Sequence, residues 1–399
     1  MTGYDVVVVG ARAAGAPTAM LLARAGLRVA LLDRGRRGSD TVSTHALMRA
    51  GVLQLSRWGL LDEIVGAGTP AVRRTTFHFP GEDPVRISLR PSPGVEALYA
   101  PRRHLLDRVL VDAAARAGAH VSHGTTVCGL LRDGTGRVTG VRVDGERGVR
   151  NVPATLVIGA DGVGSRVARD VGAPVLRRGR GSSAVRYAYV GGAGAGGYEW
   201  AYGAAAAAGV VPTNDGVACV FVAAAPERMR AAARTGPPHR VLARLLHETA
   251  PGLDDTVDLR HRVGPVHGWA GLRGFVRQSW GPGWALVGDA GYFKDPISTH
   301  GITDALRDAE LLAESVVALF GGAPERLALG RYQATRDTLS LHLFDASDAI
   351  ATYDWQGSDV QPLLRRLTAS MADEVELLER RPPLPGGRRV TTDTVAPRR

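Results

Sequence analysis

Tyr4–Gly10 (YDVVVVG) is a short apolar, β-branched run, which reads as a strand buried on both faces. Ala11–Gly26 follows with Ala and Leu at helical spacing and stops at a glycine. Leu27–Asp33 (LRVALLD) is a second buried strand. These elements form one βαβ unit, which implies a parallel sheet with a right-handed crossover. The chain is therefore expected to be α/β.

The turn inside this unit carries chemistry. Gly10-Ala11-Arg12-Ala13-Ala14-Gly15 matches a dinucleotide fingerprint except at its middle glycine. In that fingerprint the first glycine makes the turn and the last lets helix pack on strand. A pyrophosphate then sits on the free N–H groups of the helix N-terminus. Arg12 stands at the middle position. It either blocks close backbone approach or offers a guanidinium to the phosphates. Asp33 ends the second strand, where an acid usually binds ribose hydroxyls.

Two further buried runs end in Asp. Thr155–Gly159 leads into Ala160-Asp161-Gly162, and Trp284–Gly288 leads into Asp289-Ala290. The C-terminal ends of parallel strands are where such sheets bind ligands. A helix from Ile302 to Phe320 is expected next, and its opening amides at Gly301-Ile302 can face an anion or a polarised carbonyl.

Between these segments the pattern changes. Over about 180–280 helical periodicity fades, Gly and aromatic residues alternate with Val and Ala, and turns such as Asn214-Asp215-Gly216 appear. This reads as an antiparallel sheet. The expected organisation is a discontinuous first domain (1–75, 100–180, 281–345) and an inserted second one (76–99, 181–280). A C-terminal helical segment (346–379) and a disordered tail (380–399) rich in Pro, Gly, Arg and Thr complete it.

The formal net charge of +10 among 399 residues raises a polyanion as partner. Against this, Lys294 is the only lysine, so the charge is arginine scattered by coding bias. No RNP, zinc or basic-helix motif supports nucleic-acid binding. Cys128 and Cys219 sit in apolar runs and read as buried free thiols, not a disulfide or metal site. The histidines show no HxxxH or HxH pattern, so no metal is expected. No signal peptide or membrane span is expected, and the default compartment is the cytoplasm.

With its three glycine–acid motifs in this order, the chain resembles the FAD-dependent monooxygenases of the p-hydroxybenzoate hydroxylase-like group. The resemblance spans about residues 4–345 and also touches the geranylgeranyl-reductase-like and flavin-halogenase branches. It implies a Rossmann-like FAD-binding domain with a parallel sheet and an inserted antiparallel-sheet substrate domain. It further implies that Gly10, Ala14 and Gly15 form the pyrophosphate loop, with Arg12 beside it. Asp33 would take the adenosine ribose, next to Arg34. Arg49 and Arg103 would lie along the FAD, Val127 at the adenine, and Asp161 and Gly162 in the motif serving FAD and NAD(P)H. Asp289 would bind the ribityl chain and pyrophosphate. Pro296, Gly301 and Ile302 would border the isoalloxazine.

Departures concern the reaction more than the cofactor. The family's GDAAHxxPPxxGQG reads GDAGYFKDPISTHG here, and Lys294-Asp295-Pro296 is closer to the reductase and halogenase branches. The halogenase Trp-x-Trp-x-Ile-Pro motif is lacking. The resemblance implies hydroxylation or epoxidation of an aromatic or polyketide-like molecule with NAD(P)H and O2, through a flavin C4a-hydroperoxide. A separate flavin reductase is a possible electron source. The alternatives are a FAD-dependent C=C reductase of geranylgeranyl-reductase type, and a non-catalytic flavoprotein or polyanion binder. His45 and His300 are the acid/base candidates, each with a packing role as the alternative. Tyr187, Tyr189, Trp200 and Tyr202, at alternating positions, are expected to wall the substrate pocket or to pack at the domain interface.

Overall fold

The computed structural model describes residues 3–384 apart from 195, 204 and 255. At the centre of an eight-stranded sheet lies β1 (Tyr4–Val9), parallel to both β2 (Val29–Leu32) and β8 (Arg150–Gly159). β5 (His120–Ser122) adds beyond β2, and β17 (Trp284–Leu286) adds beyond β8, both parallel. The expected βαβ unit and the late return of the chain to this sheet are both present. The hairpin β6 (Thr126–Arg132) and β7 (Val138–Asp144) joins β8 antiparallel, and β16 (Trp280–Gly281) pairs with β17. Val6, Val7 and Val8 have no exposure, as expected of a strand covered on both faces.

α1 (Gly15–Arg24) returns from β1 and packs against α4 (Arg103–Arg116) and α9 (Gly301–Phe320). The approach is tight. A Cβ on Gly15 would stand 1.8 Å from the Gly10 carbonyl oxygen and 2.9 Å from the Ala160 side chain. Shorter helices α2 (Arg49–Arg57), α3 (Leu61–Gly66) and α5 (Arg166–Asp170) edge this layer. The segment 96–99 has strand-like composition. It makes only isolated bridges, Val72 to Leu98 and Leu47 to Tyr99, because its partners are single loop residues and not a ladder.

The second sheet has seven strands. They run β14 (Arg262–Trp269), β10 (Ala184–Gly191), β13 (Val217–Ala224), β12 (Ala206–Pro212), β11 (Tyr198–Gly203), β3 (Arg74–His78) and β4 (Val85–Ser88). All pairs are antiparallel except β11 with β3. One face, with Ala188, Val190, Val220 and Val222, packs under Val241, Leu242, Leu245 and Leu246. Those leucines belong to α7 (Pro238–Thr249), which follows α6 (Pro226–Ala233) and precedes the short α8 (Pro251–Asp254). The expectation of no helical pattern across 180–280 is corrected here. Pro226 and Pro238 start each helix where a missing N–H costs nothing, and the apolar positions 241, 242, 245 and 246 give α7 one buried stripe.

A three-stranded sheet of β9 (Val175–Arg178), β15 (Phe275–Arg277) and β18 (Tyr292–Phe293) links the layers. α10 (Glu325–Ala351) runs unbroken past 346, and α11 (Gln361–Arg380) lies on α10 and α2. Most of the tail expected to be disordered (380–399) lies outside the described residues. Cys219 is buried, but Cys128 is partly exposed and so departs from the expected burial.

The β1–α1 contact yields a prediction. Gly15→Ala forces the strand and helix apart and should lower unfolding stability by about 1–3 kcal/mol, measured by urea denaturation of the FAD-free protein. Unchanged stability would show that this contact is not close-packed in solution.

Candidate active site

Gly10 adopts φ +103° at the turn after β1, and Ala14 meets Gly288, so the first and last motifs touch. Asp33 accepts hydrogen bonds from the N–H groups of Ala11 (2.7 Å) and Gly35 (2.6 Å), which fixes the carboxylate at the mouth of this turn. Arg12 does not point freely outward. It donates to Asp107 at 2.9 Å and to Ser39 Oγ at 3.1 Å. Arg103 donates to the same Asp107 carboxylate at 3.0 Å. Two guanidiniums on one carboxylate leave net positive charge beside the start of α1, as a pyrophosphate needs. A shallow cleft lined by Ala11, Arg12, Asp33, Arg36, Ser39 and His123 opens there.

The other predicted cofactor residues are placed less alike. Arg34 is exposed. Arg49 is tied to the Arg90 carbonyl and Ser92 Oγ. Val127 is buried in β6 opposite Val143. Asp161 accepts from Ser165 Oγ and from the N–H groups of Arg166 and Val167, so it caps α5. Gly162 makes the turn with φ +77°. The first strand-end acid thus serves a helix start.

Asp289 differs: it is half-buried and has no side-chain hydrogen bond among the described residues. Burial raises its pKa to about 6, against the pull of Lys294 and Arg103. A carboxylate held without a donor at the end of a parallel strand suits a polyhydroxyl chain. The following loop is firmly built. Asp295 accepts from Ile297 N–H (3.0 Å) and from Ser183 N–H (2.6 Å), linking it to the root of β10, and Tyr353 donates to Ser183 Oγ at 2.8 Å. Pro296 starts a single 3₁₀ turn, and Thr299 takes the left-handed conformation with φ +49°. Gly301 is exposed, although residues 302–313 of α9 are buried throughout. The N-terminal dipole of a 20-residue helix is therefore open to solvent at that glycine. The close turn at Gly10, the donorless Asp289 and this open helix end fit a flavin dinucleotide.

Behind the loop lies a buried ionic cluster. Lys294 pairs with Asp304, and His300 Nε2 lies 2.6 Å from Glu374 Oε2. Arg307 Nη1 reaches Asp304 and Glu374 at 3.0 Å each. Burial, with help from Arg307, drops the Lys294 pKa to about 7. Burial resists ionisation of Glu374, but His300, Arg307 and Lys294 outweigh it and hold the carboxyl down at about 2. His300, Asp304 and Glu374 bring ligand atoms within 4.8 Å of one another, as a metal would need. Lys294 and Arg307 already neutralise those oxygens, so the arrangement is a salt-bridge cluster.

The face of the seven-stranded sheet opposite α7 belongs to the main core. Its middle row runs Val85, Phe77, Trp200, Gly209, Phe221, Tyr187 and His267 across successive strands. A Cβ on Gly209 would lie 2.6 Å from the Phe221 ring, so the ring covers the glycine. Tyr187 stacks on His267 at 4.9 Å. Tyr202, one row over, stacks on Phe79 and meets Trp355. Tyr189 bonds His45 Nε2 at 2.6 Å under the Arg102 guanidinium, and Ser43 N–H donates to Tyr187 Oη. The four predicted aromatic residues therefore share one face, and Tyr187 and Tyr189 dock on the 43–45 loop. His45 is fully buried with φ +69°. Burial, with Arg103 and Arg102, pushes its pKa to about 3, so it stays neutral at physiological pH. His45 and His300 belong to separate hydrogen-bond groups, with Tyr189 and with Glu374.

Sequence reasoning missed Phe77, Phe221, His267, Arg307 and Glu374. Alternation in β3 and β13 carried a signal for the two phenylalanines. Nothing local signals Glu374, whose partner is 74 residues away.

Comparison with known proteins gives the family and the fold. The family described as FAD binding domain matches residues 3–347. Digeranylgeranylglycerophospholipid reductase 2 of Methanopyrus kandleri is 30% identical over 327 residues, covering 76% of this chain and 74% of its own. A solved geranylgeranyl bacteriochlorophyll reductase-like protein from Thermoplasma acidophilum superposes with TM-score 0.69 at 20% identity, covering 98% of this chain and 94% of its own. PqsL, described as a probable FAD-dependent monooxygenase from Pseudomonas aeruginosa, superposes with TM-score 0.77 at 22% identity, covering 93% and 100%. At these identities the solved structures speak for the fold.

Asp289 supports a two-sided prediction. Its folded pKa is raised, so its contribution to stability is present below its unfolded pKa and is lost as pH rises through about 6. Asp289→Asn should raise the melting temperature of the FAD-free protein at pH 7.5, with the gain vanishing near pH 4, and should weaken FAD binding. Loss of stability at pH 7.5 would show that the carboxylate is satisfied in a way the structure does not contain.

Proposed function

The chain belongs to the FAD binding domain family, among the FAD-dependent oxidoreductases, and from that premise we propose that it reduces carbon–carbon double bonds of a prenyl-type apolar substrate. The observation that carries this reading is the middle row of the substrate-side sheet. It is apolar or aromatic from His267 to Val85, and Val85 is 45% exposed at the edge strand. A row of this kind suits a long hydrocarbon chain, and it offers few polar groups to select a small hydroxylated ring. The archaeal relative, named for a digeranylgeranyl lipid, supports the same chemistry.

Bound FAD would supply the hydride for such a reduction. The chain's own residues bind and exclude. Asp289 would hold the ribityl hydroxyls, and the Gly301–Ile302 amides would face the electron-rich edge of the ring. The aromatic rows keep water off the reacting carbons. His267, half-exposed and stacked on Tyr187, stands where it can pass a proton between solvent and the row. Electrons come from NAD(P)H or from a separate flavin reductase. Among the described residues no helix is long and apolar enough to cross a membrane.

Monooxygenation of an aromatic or polyketide-like molecule is the second reading, favoured by the likeness of fold to PqsL. The same dry face would protect an oxygenating flavin. Mass spectrometry separates the two. Reduced protein incubated without oxygen with a geranylgeranyl lipid should yield products that gain pairs of hydrogens. A product that gains one oxygen atom, and only in air, would overturn the reductase reading. Trp200→Ala should lower kcat/KM for the prenyl substrate by about tenfold or more, from about 1.5–3 kcal/mol of lost apolar contact, while FAD content stays unchanged.

A further inference from the structure

Glu374 lies on α11, beyond residue 347 where the family match ends. It is 1% exposed, yet it reaches two side chains that border the flavin loop. Oε2 meets His300 Nε2 at 2.6 Å, and Oε1 accepts from Arg307 Nη1 at 3.0 Å. An ionised carboxylate this deep is tolerated only when paired and hydrogen-bonded, and it in turn constrains its partners. His300 is the N-cap residue of α9, directly before the exposed Gly301. With Nε2–H donated to Glu374, the neutral imidazole leaves Nδ1 as an acceptor, and that atom is buried without a partner among the described residues.

We propose that Glu374 is a positioning residue for the flavin. It sets the tautomer and orientation of His300 and, through Arg307, holds the first turn of α9, so that the Gly301–Ile302 amides meet the isoalloxazine in one geometry. The C-terminal helix thereby completes a site that the family-matched region builds only in part. This rests on FAD binding and not on the choice between reduction and oxygenation, so failure of the prenyl-reduction assay leaves it standing.

The test uses the full-length protein with FAD. E374Q keeps the volume and removes the charge. It should weaken FAD binding about tenfold and shift the visible absorption and midpoint potential of the bound flavin. H300N should do the same, and the E374Q/H300N double variant should be no worse than E374Q alone, because loss of the Glu374 charge already breaks the path through His300. Ser370→Ala, one turn earlier on the same buried face of α11, should change stability at most and leave the flavin spectrum alone. Wild-type FAD affinity and spectrum in folded E374Q, or additive losses in the double variant, would overturn the proposal. Should E374Q not fold, E374D, which retains the charge but retracts it by one methylene, carries the same readout. Wild-type affinity and spectrum there would overturn it equally.

Discussion

Arg307 has no exposure, and its guanidinium meets Asp304, Asp308, Glu374 and Ser340. Those partners lie on α9, α10 and α11, so one side chain pins three helices together. Burying a guanidinium costs several kcal/mol unless nearly every N–H finds an acceptor. The helices must therefore approach in the one register that supplies them. The loop carrying Lys294 and Asp295 is tied into the same arrangement by the Lys294–Asp304 pair. The orientation of α9, whose N-terminus is exposed at Gly301, follows from this buried charge as much as from apolar packing.

The two large sheets are joined by a few polar contacts set in aromatic surroundings. Asp295 reaches Ser183 at the root of β10, His45 reaches Tyr189, and Ser43 reaches Tyr187. Each lies on or beside β10 and keeps the parallel-sheet layer in register with the seven-stranded sheet. The net charge of +10 takes a different meaning here. Arg12 and Arg103 share Asp107, Arg57 and Arg307 are buried, and Arg102 covers Tyr189. These five arginines are paired, buried or stacked within the fold.

Legibility followed the range of the interactions. The βαβ unit, the buried strands leading to Gly159 and Gly288, and the helix over 302–320 were readable because periodicity and a glycine stop are local signals. Tyr187, Tyr189, Trp200 and Tyr202 were readable as face-sharing pairs because strand alternation is local too. α6 and α7 were not seen. Their apolar stripe is short, and their proline starts look like turns when read without the sheet beneath them. Position alone left two roles open for Arg12, and Asp107, which it pairs with, is 95 residues away.

Sequence alone establishes that this protein is α/β, with a fingerprint-like turn at Gly10–Gly15 and with Asp161 and Asp289 just beyond two buried strands. Steric needs at a turn and burial patterns along a strand are written in neighbouring residues. Only the tertiary structure decided that Asp161 caps a helix while Asp289 stays without a donor. It alone decided that His45 is held neutral against Tyr189 and that Glu374 closes on His300 from the C-terminal helix. A carboxylate's role depends on which donors surround it in space, and those donors come from chain segments that no local pattern connects.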